Sequence, residues 1–209
     1  MSPRHISTLP PTHEPQMIYY SVDTEPRAKV FFLAAGAALG VSLLIPQYVA
    51  NVTEKTLIPS AFALYGLILL TFDRFLWKLK PFSWLAGIPD LTGRYSGTVT
   101  TLPSDSSPES TQTAEVSIKQ TWLKIEMTLR TELTISHLTL CGFQVEDDES
   151  LQMLATYLVC ERRPIKGKNS YGEGTQTLLV KKTKNLVLSG QYYSTKHRGG
   201  YVDIKRADA

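Results

Sequence analysis

Five side chains that could stack on a flat ring or hold a phosphate fall within ten residues of each other: Tyr192, Tyr193, Lys196, Arg198 and Tyr201. They sit in LVLSGQYYSTKHRGGYVDIKR, residues 186–206, where apolar and polar residues alternate as in a half-buried strand. If Leu186 and Leu188 face inward, Gly190 and Tyr192 do too, and Tyr193 faces the other way. The basic turn Lys196-His197-Arg198, with the hydroxyls of Thr195 and Tyr201 beside it, then stands at the rim. Rings suit the faces of bases, and charge-assisted hydrogen bonds suit phosphates. The same residues also fit a plainer role, with tyrosines filling a core and a solvated basic turn.

An earlier stretch, PDLTGRYSGTV (89–99), repeats the theme. Leu91, Gly93, Tyr95, Gly97 and Val99 share one face, and Arg94 lies on the other. Inward glycines beside tyrosines would leave space next to flat surfaces.

Catalytic chemistry has no comparable support. Of the four histidines, His5 and His13 lie near the N-terminus, and His137 stands alone in a strand-like run. No His, Cys or carboxylate set has metal-ligand spacing, and no nucleophile elbow or Walker loop occurs. The acidic turn 146–149 reads as a solvated turn. No enzyme, cofactor or metal is therefore expected. With 22 basic and 19 acidic residues, the net charge of +3 is too mild for a protein that coats polymeric nucleic acid. The two cysteines, Cys141 and Cys160, read as small hydrophobes in a reducing compartment.

Positioning these groups requires two kinds of element. Residues 1–29 are polar and aperiodic and read as a disordered cytoplasmic tail. Residues 30–50, VFFLAAGAALGVSLLIPQYVA, form a run of 21 without a charge. As a helix this run would be ~30 Å long, the thickness of a bilayer core. A second apolar run, 57–72, could continue as a helix to Leu79, and only six residues separate the two runs. The pair reads as a two-span membrane hairpin over 30–80, followed by a linker at 81–90. Arg27, Lys29, Arg74, Lys78 and Lys80 flank the hairpin, against Lys55 in its turn, which predicts both termini in the cytoplasm. Trp77, Phe82 and Trp84 suit a membrane interface. Gly36 and Gly40 have the GxxxG spacing that lets helices approach closely, either within the hairpin or between copies.

From residue 91 to 209 the period is two. Strands are expected near 91–99, 116–118, 123–129, 133–143, 151–161, 173–182, 186–194 and 201–206. About eight short antiparallel strands suit a small β-barrel, with a β-sandwich as the alternative.

The layout of membrane hairpin, L-x-G-x-Y-x-G strand and L-x-G-x-Y-Y…G-G-x-V-x-I strands resembles one known family. This is the two-transmembrane β-barrel effectors of bacterial cyclic-oligonucleotide antiphage signalling (CBASS), encoded beside a CD-NTase, the nucleotidyltransferase of such systems. The resemblance implies that the barrel binds a cyclic dinucleotide made by that enzyme. It further implies homo-oligomerisation of the hairpins in the lipid bilayer, disruption of the bacterial inner membrane and abortive infection. Carried onto this chain, Tyr95, Tyr157, Tyr192 and Tyr193 would border bases. Arg94, Lys196, Arg198, Thr195 and Tyr201 would meet phosphates. A lipocalin-like membrane-anchored carrier and a membrane scaffold remain as alternatives.

Overall fold

The computed structural model describes residues 15–22, 26–49, 60–103, 108–145, 150–162, 171–182, 185–195 and 198–207. In chain order these form β1 (Ile18–Val22), α1 (Pro26–Val49), α2 (Ala61–Arg74), a 3-10 turn (Leu76–Lys78) and α3 (Lys80–Ala86). Eight strands follow: β2 (Gly93–Thr101), β3 (Ser110–Gln120), β4 (Lys124–Arg130), β5 (Thr134–Val145), β6 (Leu151–Glu161), β7 (Tyr171–Lys182), β8 (Leu186–Ser194) and β9 (Arg198–Arg206).

Period-two alternation decides which side chains meet. Tyr95 on β2, Ala114, Val116 and Ile118 on β3, Ile125 and Met127 on β4, and Met153 and Ala155 on β6 all turn inward. Leu178 and Val180 on β7, Leu188 on β8, and Val202 and Ile204 on β9 complete the core with them. Exposed polar residues such as Arg94, Ser96, Glu115, Ser117, Thr177 and Asp203 alternate with them. On β5 the register shifts between Leu138 and Leu140. The extra residue moves the inward set from Leu138 to Cys141 and Phe143 and leaves Leu140 outside. β2 to β9 thus occupy the eight stretches expected from alternation, and they lie in one sheet rather than two.

That sheet has nine strands and closes in a ring, in the order β1-β4-β3-β2-β9-β8-β7-β6-β5. The ninth strand corrects the expectation of a structureless tail over 1–29. Ile18–Val22 runs antiparallel to β4 at Ile18–Tyr19 and parallel to β5 at Tyr20–Val22. β4 and β5 pair directly only at Thr128–Arg130 with Ile135–His137, then separate, and β1 fills the gap. Five residues whose partners lie some hundred positions away carry no readable period. Residues 1–14 are outside the described chain.

Glycines let the ring close at this size. At Gly97 a Cβ would stand on the backbone oxygen of Asp203, and at Gly190 on that of Thr177, both in the neighbouring strand. These inward glycines admit backbone, not ligand, which corrects the reading that they leave open space.

The helices pack on one end of the ring through the β3–β4 turn. Trp122 is buried there, its ring centroid 5.6 Å from Phe31 on α1 and 4.9 Å from Phe72 on α2. The Trp122 N–H donates to the Asp73 carbonyl at 3.1 Å, and the Leu123 N–H to the Asp73 carboxylate at 2.8 Å. Arg27 donates to the carbonyls of Tyr20 (2.8 Å) and Trp122 (3.4 Å). Holding Asp73 on this turn ends α2 at Arg74, so the helix does not continue to Leu79 as expected. Trp77 swings into the joint and is buried there, whereas Phe82 and Trp84 remain exposed.

Among the described residues one helix is long and apolar enough to cross a membrane, with its most apolar window at 27–44. α2, at 14 residues, is shorter and packs against α1. The turn expected at 51–56 lies outside the described residues, and the two-span hairpin is not established. Cys141 and Cys160 are free thiols.

Gly97→Ala and Gly190→Ala are expected to lower stability by about 1–3 kcal/mol or prevent folding, since each puts an atom into a neighbouring backbone. Gly36→Ala, whose new Cβ would meet no described atom within 4 Å, is expected to cost nothing. Melting of the purified full chain in detergent separates the two classes.

Candidate ligand-binding site

The end of the ring away from the helices is hollow. A cavity of about 590 Å³ opens there, within the range of small-molecule sites. Its wall comes from the ends of eight strands: Val99 and Thr101 (β2), Gln112 (β3), Met127 and Leu129 (β4), Ser136 and Leu138 (β5), Tyr157, Val159 and Glu161 (β6), Gln176 (β7), Tyr192 and Ser194 (β8), and Arg198 and Val202 (β9). The β4–β5 turn adds Thr131, Glu132 and Leu133.

Two tyrosines on this wall are held in the same way. Tyr157 pairs directly across the ladder with Gly174, and Tyr192 with Gly200. At Gly174 the phenol end of Tyr157 occupies the space a Cβ would take, and at Gly200 the Tyr192 ring edge and hydroxyl crowd that space beside the Thr100 carbonyl oxygen. Tyr157 then reaches one strand further, and its hydroxyl donates to the Tyr193 carbonyl at 3.3 Å. Tyr192 also reaches one strand further, to a 2.7 Å hydrogen bond with the Thr101 hydroxyl. Each ring is laid along the wall and pinned at its tip, so little rotamer freedom is left to lose when something flat stacks on it. Burial raises the Tyr157 pKa above its ordinary value, and the nearby Tyr192 adds to the rise.

The polar groups are mixed. Gln176 is buried at the cavity base, where its Nε2 has only a weak 4.0 Å contact with the Met127 sulfur. An amide there offers a donor and an acceptor to whatever enters. Thr131 and Thr134 share a hydroxyl pair at 3.1 Å. Arg198 is the one cation among the described lining residues, and Glu132 and Glu161 accompany it.

Of the expected site residues, the structure brings together Tyr157, Tyr192 and Arg198. Tyr95 faces inward as expected but lies at the opposite end, beside the helices. Its hydroxyl donates to the Leu91 carbonyl at 2.8 Å, and the Arg206 guanidinium sits 5.6 Å from its ring. Arg94 is exposed on the outer face at that same end. Tyr193 and Tyr201 are exposed on the outside of β8 and β9. Thr195 is exposed and tied to Glu173, accepting its N–H at 3.1 Å and returning a backbone bond at 2.8 Å. None of these five lines the cavity. Lys196 lies outside the described residues. Thr101, Gln112, Glu132, Ser136, Glu161, Gln176 and Ser194 were not anticipated. Inward parity with Leu178 and Val180 was the available signal for Gln176.

Tyr20, Tyr95 and Tyr157 all have raised pKa values, chiefly from burial, with Tyr20 pushed up to about 12. Their folded values exceed the unfolded value near 10, so their contribution is full below about pH 10 and is lost as pH rises above it. Melting temperature is expected to be insensitive to these groups up to about pH 9 and to fall between about pH 10 and 12. Tyr157→Phe is expected to soften that fall, measured by melting across the same pH series.

Comparison with known proteins agrees with this geometry. Residues 86–206, the whole ring apart from β1, match the family described as "Cap15, cyclic dinucleotide receptor domain". "CD-NTase-associated protein 15" of Staphylococcus schleiferi is 26% identical over 140 residues, covering 66% of this chain and 72% of that protein. The matched segment is the one that carries the cavity and its pinned tyrosines, and the chain belongs to the Cap15 family of CBASS effectors.

Proposed function

We propose that this chain is a membrane-anchored receptor whose ring binds a cyclic dinucleotide in the open cavity, with Tyr157 and Tyr192 as base platforms and Arg198 meeting a phosphate. The observation that carries this reading is the pair of tyrosines pinned over Gly174 and Gly200 inside a cavity of about 590 Å³. Two flat platforms suit a ligand with two bases, because stacking needs only a π-face on each. A partner CD-NTase supplies the ligand. The chain is not an enzyme in this reading: ligand binding is its whole chemistry.

Binding then acts on the membrane. α1 and α2 form a two-span hairpin in the bacterial inner membrane, and the ring, which takes β1 from before α1 and β2 to β9 from after α2, faces the cytoplasm. Within the chain, α1 uses Val30, Ala34 and Ala38 as its buried stripe. Gly36 and Gly40 are exposed, and a Cβ on either would meet no described atom, which supports their use between copies. Ligand favours the clustered state, many helices gather, the bilayer is disrupted and the infected cell dies. A ligand shifts this population only by as much as it prefers that state.

The test is melting of the full chain in detergent against cyclic di- and trinucleotides, with fatty acids in a parallel arm. A ligand at a hundredfold excess over its Kd stabilises by about 2.7 kcal/mol. Stabilisation by a cyclic dinucleotide is expected, and stabilisation by fatty acids alone would replace this reading with a lipid carrier. Tyr157→Ala and Tyr192→Ala are each expected to weaken Kd by about 5- to 150-fold, the worth of one stacked base. Arg198→Ala is expected to weaken it about tenfold or more, and Arg94→Ala not at all. Gly36→Leu is expected to keep the wild-type Kd while reducing ligand-dependent cross-linking of copies in vesicles.

A further inference from the structure

The elbow between α2 and α3 has a surface that the receptor reading does not use. Seven consecutive residues, Lys78 to Trp84, are exposed, and Phe75 just before them is 69% exposed. Four of these eight positions are large and apolar: Phe75, Leu79, Phe82 and Trp84. They are not displaced core residues, because the elbow fills its own core with Trp77, Leu85 and Ala86. Its charge has one sign. From Arg74 to Pro89 the chain carries Arg74, Lys78 and Lys80 and no acidic residue. Lys78 is partly engaged with Asp90 at 3.3 Å, and Arg74 and Lys80 are exposed.

The elbow's place in the fold gives this surface a partner. It is packed into the joint where Val30 of α1 and Phe72 of α2 meet the ring. If α1 enters a bilayer beyond Arg27, the elbow lies level with the boundary. The chain breaks direction where α2 ends, so the elbow turns off the helix axis at that level. Trp84 is 72% exposed, yet its indole N–H already donates to the Pro81 carbonyl at 2.9 Å. The ring can therefore leave water without stranding a donor, as suits an aromatic at a lipid headgroup boundary.

We propose that the α2–α3 elbow is an interfacial anchor, with Phe75, Leu79, Phe82 and Trp84 seated at the acyl boundary of an anionic phospholipid leaflet. Arg74 and Lys80 face its headgroups. The proposal rests on the reading that α1 inserts in a membrane. It adds that the ring's base is held against the membrane surface by the elbow as well as by the helices.

The three tryptophans make the test direct, because Trp77 and Trp122 are each 1% exposed and Trp84 is open. The full chain is reconstituted in vesicles of phosphatidylglycerol and phosphatidylcholine, using lipids brominated either near the headgroup or near the chain end. The expected result is a blue shift of emission and quenching that is stronger from the shallow bromines. The quenchable part is lost in Trp84→Phe, and the effect is reduced in pure phosphatidylcholine or in Arg74→Glu/Lys80→Glu. Emission quenched by aqueous acrylamide and untouched by bromolipid, in protein that co-floats with vesicles, would overturn the anchor alone. Equal quenching in neutral and anionic vesicles would overturn the headgroup assignment. Protein that fails to float with any vesicle would overturn the membrane reading beneath both.

Discussion

The capture of the β3–β4 turn by two helix ends is the interaction on which the rest of the molecule depends. Asp73 near the end of α2 takes the N–H groups of Trp122 and Leu123, and Arg27 near the start of α1 takes the carbonyls of Tyr20 and Trp122. Charged side chains on backbone groups in a partly buried place are stronger than neutral hydrogen bonds, and removing one partner strands the other. Trp122 sits between Phe31 and Phe72 and turns these polar bonds into a packed joint. The helices and the ring are thereby one body rather than an anchor and a tethered cargo.

That joint gives the ring two unlike ends. At the helix end, Tyr95, Leu91, Gln120 and Tyr20 fill the lumen, and their polar atoms bond to one another or to backbone. At the far end the strands continue, and Thr, Ser, Gln and Glu join Val, Leu, Met and Tyr on a wall that leaves the lumen open. β4 connects the two ends, leaving the Trp122 turn at Lys124 and reaching the cavity at Met127 and Leu129 within one short strand. A change in the cavity wall at β4 is thus a change in the strand that carries the helix joint.

The sequence disclosed faces better than depths. Alternation is local, so Tyr95 and Tyr192 were both legible as inward, and both are inward. Alternation says nothing about position along the ring axis, so it could not tell that Tyr95 lies at the filled end and Tyr192 at the hollow one. Arg94, Tyr193 and Tyr201 neighbour inward residues in sequence, so alternation itself turns them outward. Thr195 is placed by the bond it makes with Glu173 across the β7–β8 ladder, which sequence order does not reveal. The Tyr157–Gly174 pair depends on the register of two strands joined through 163–170, and no one-dimensional pattern sets that register. The apolar run after Asp73 read as more helix because the reason for its break lies 50 residues downstream, at Leu123.

β1 has a further consequence, in time rather than in space. It leads the described chain into α1, so it is synthesised before α1 and α2, yet its partners are Ile125 on β4 and Cys141 on β5. Among the described residues no earlier strand offers it an edge. Its pairing is therefore long-range, of the kind that slows folding and leaves strand edges open meanwhile. By the time those edges exist, α1 has already fixed where β1 can be, because 23–25 are the only residues between them. Its pairing is then a short search near the start of α1 rather than through free solution, which shrinks its entropic cost. A chain severed between β1 and α1 would keep every ladder partner and lose that advantage.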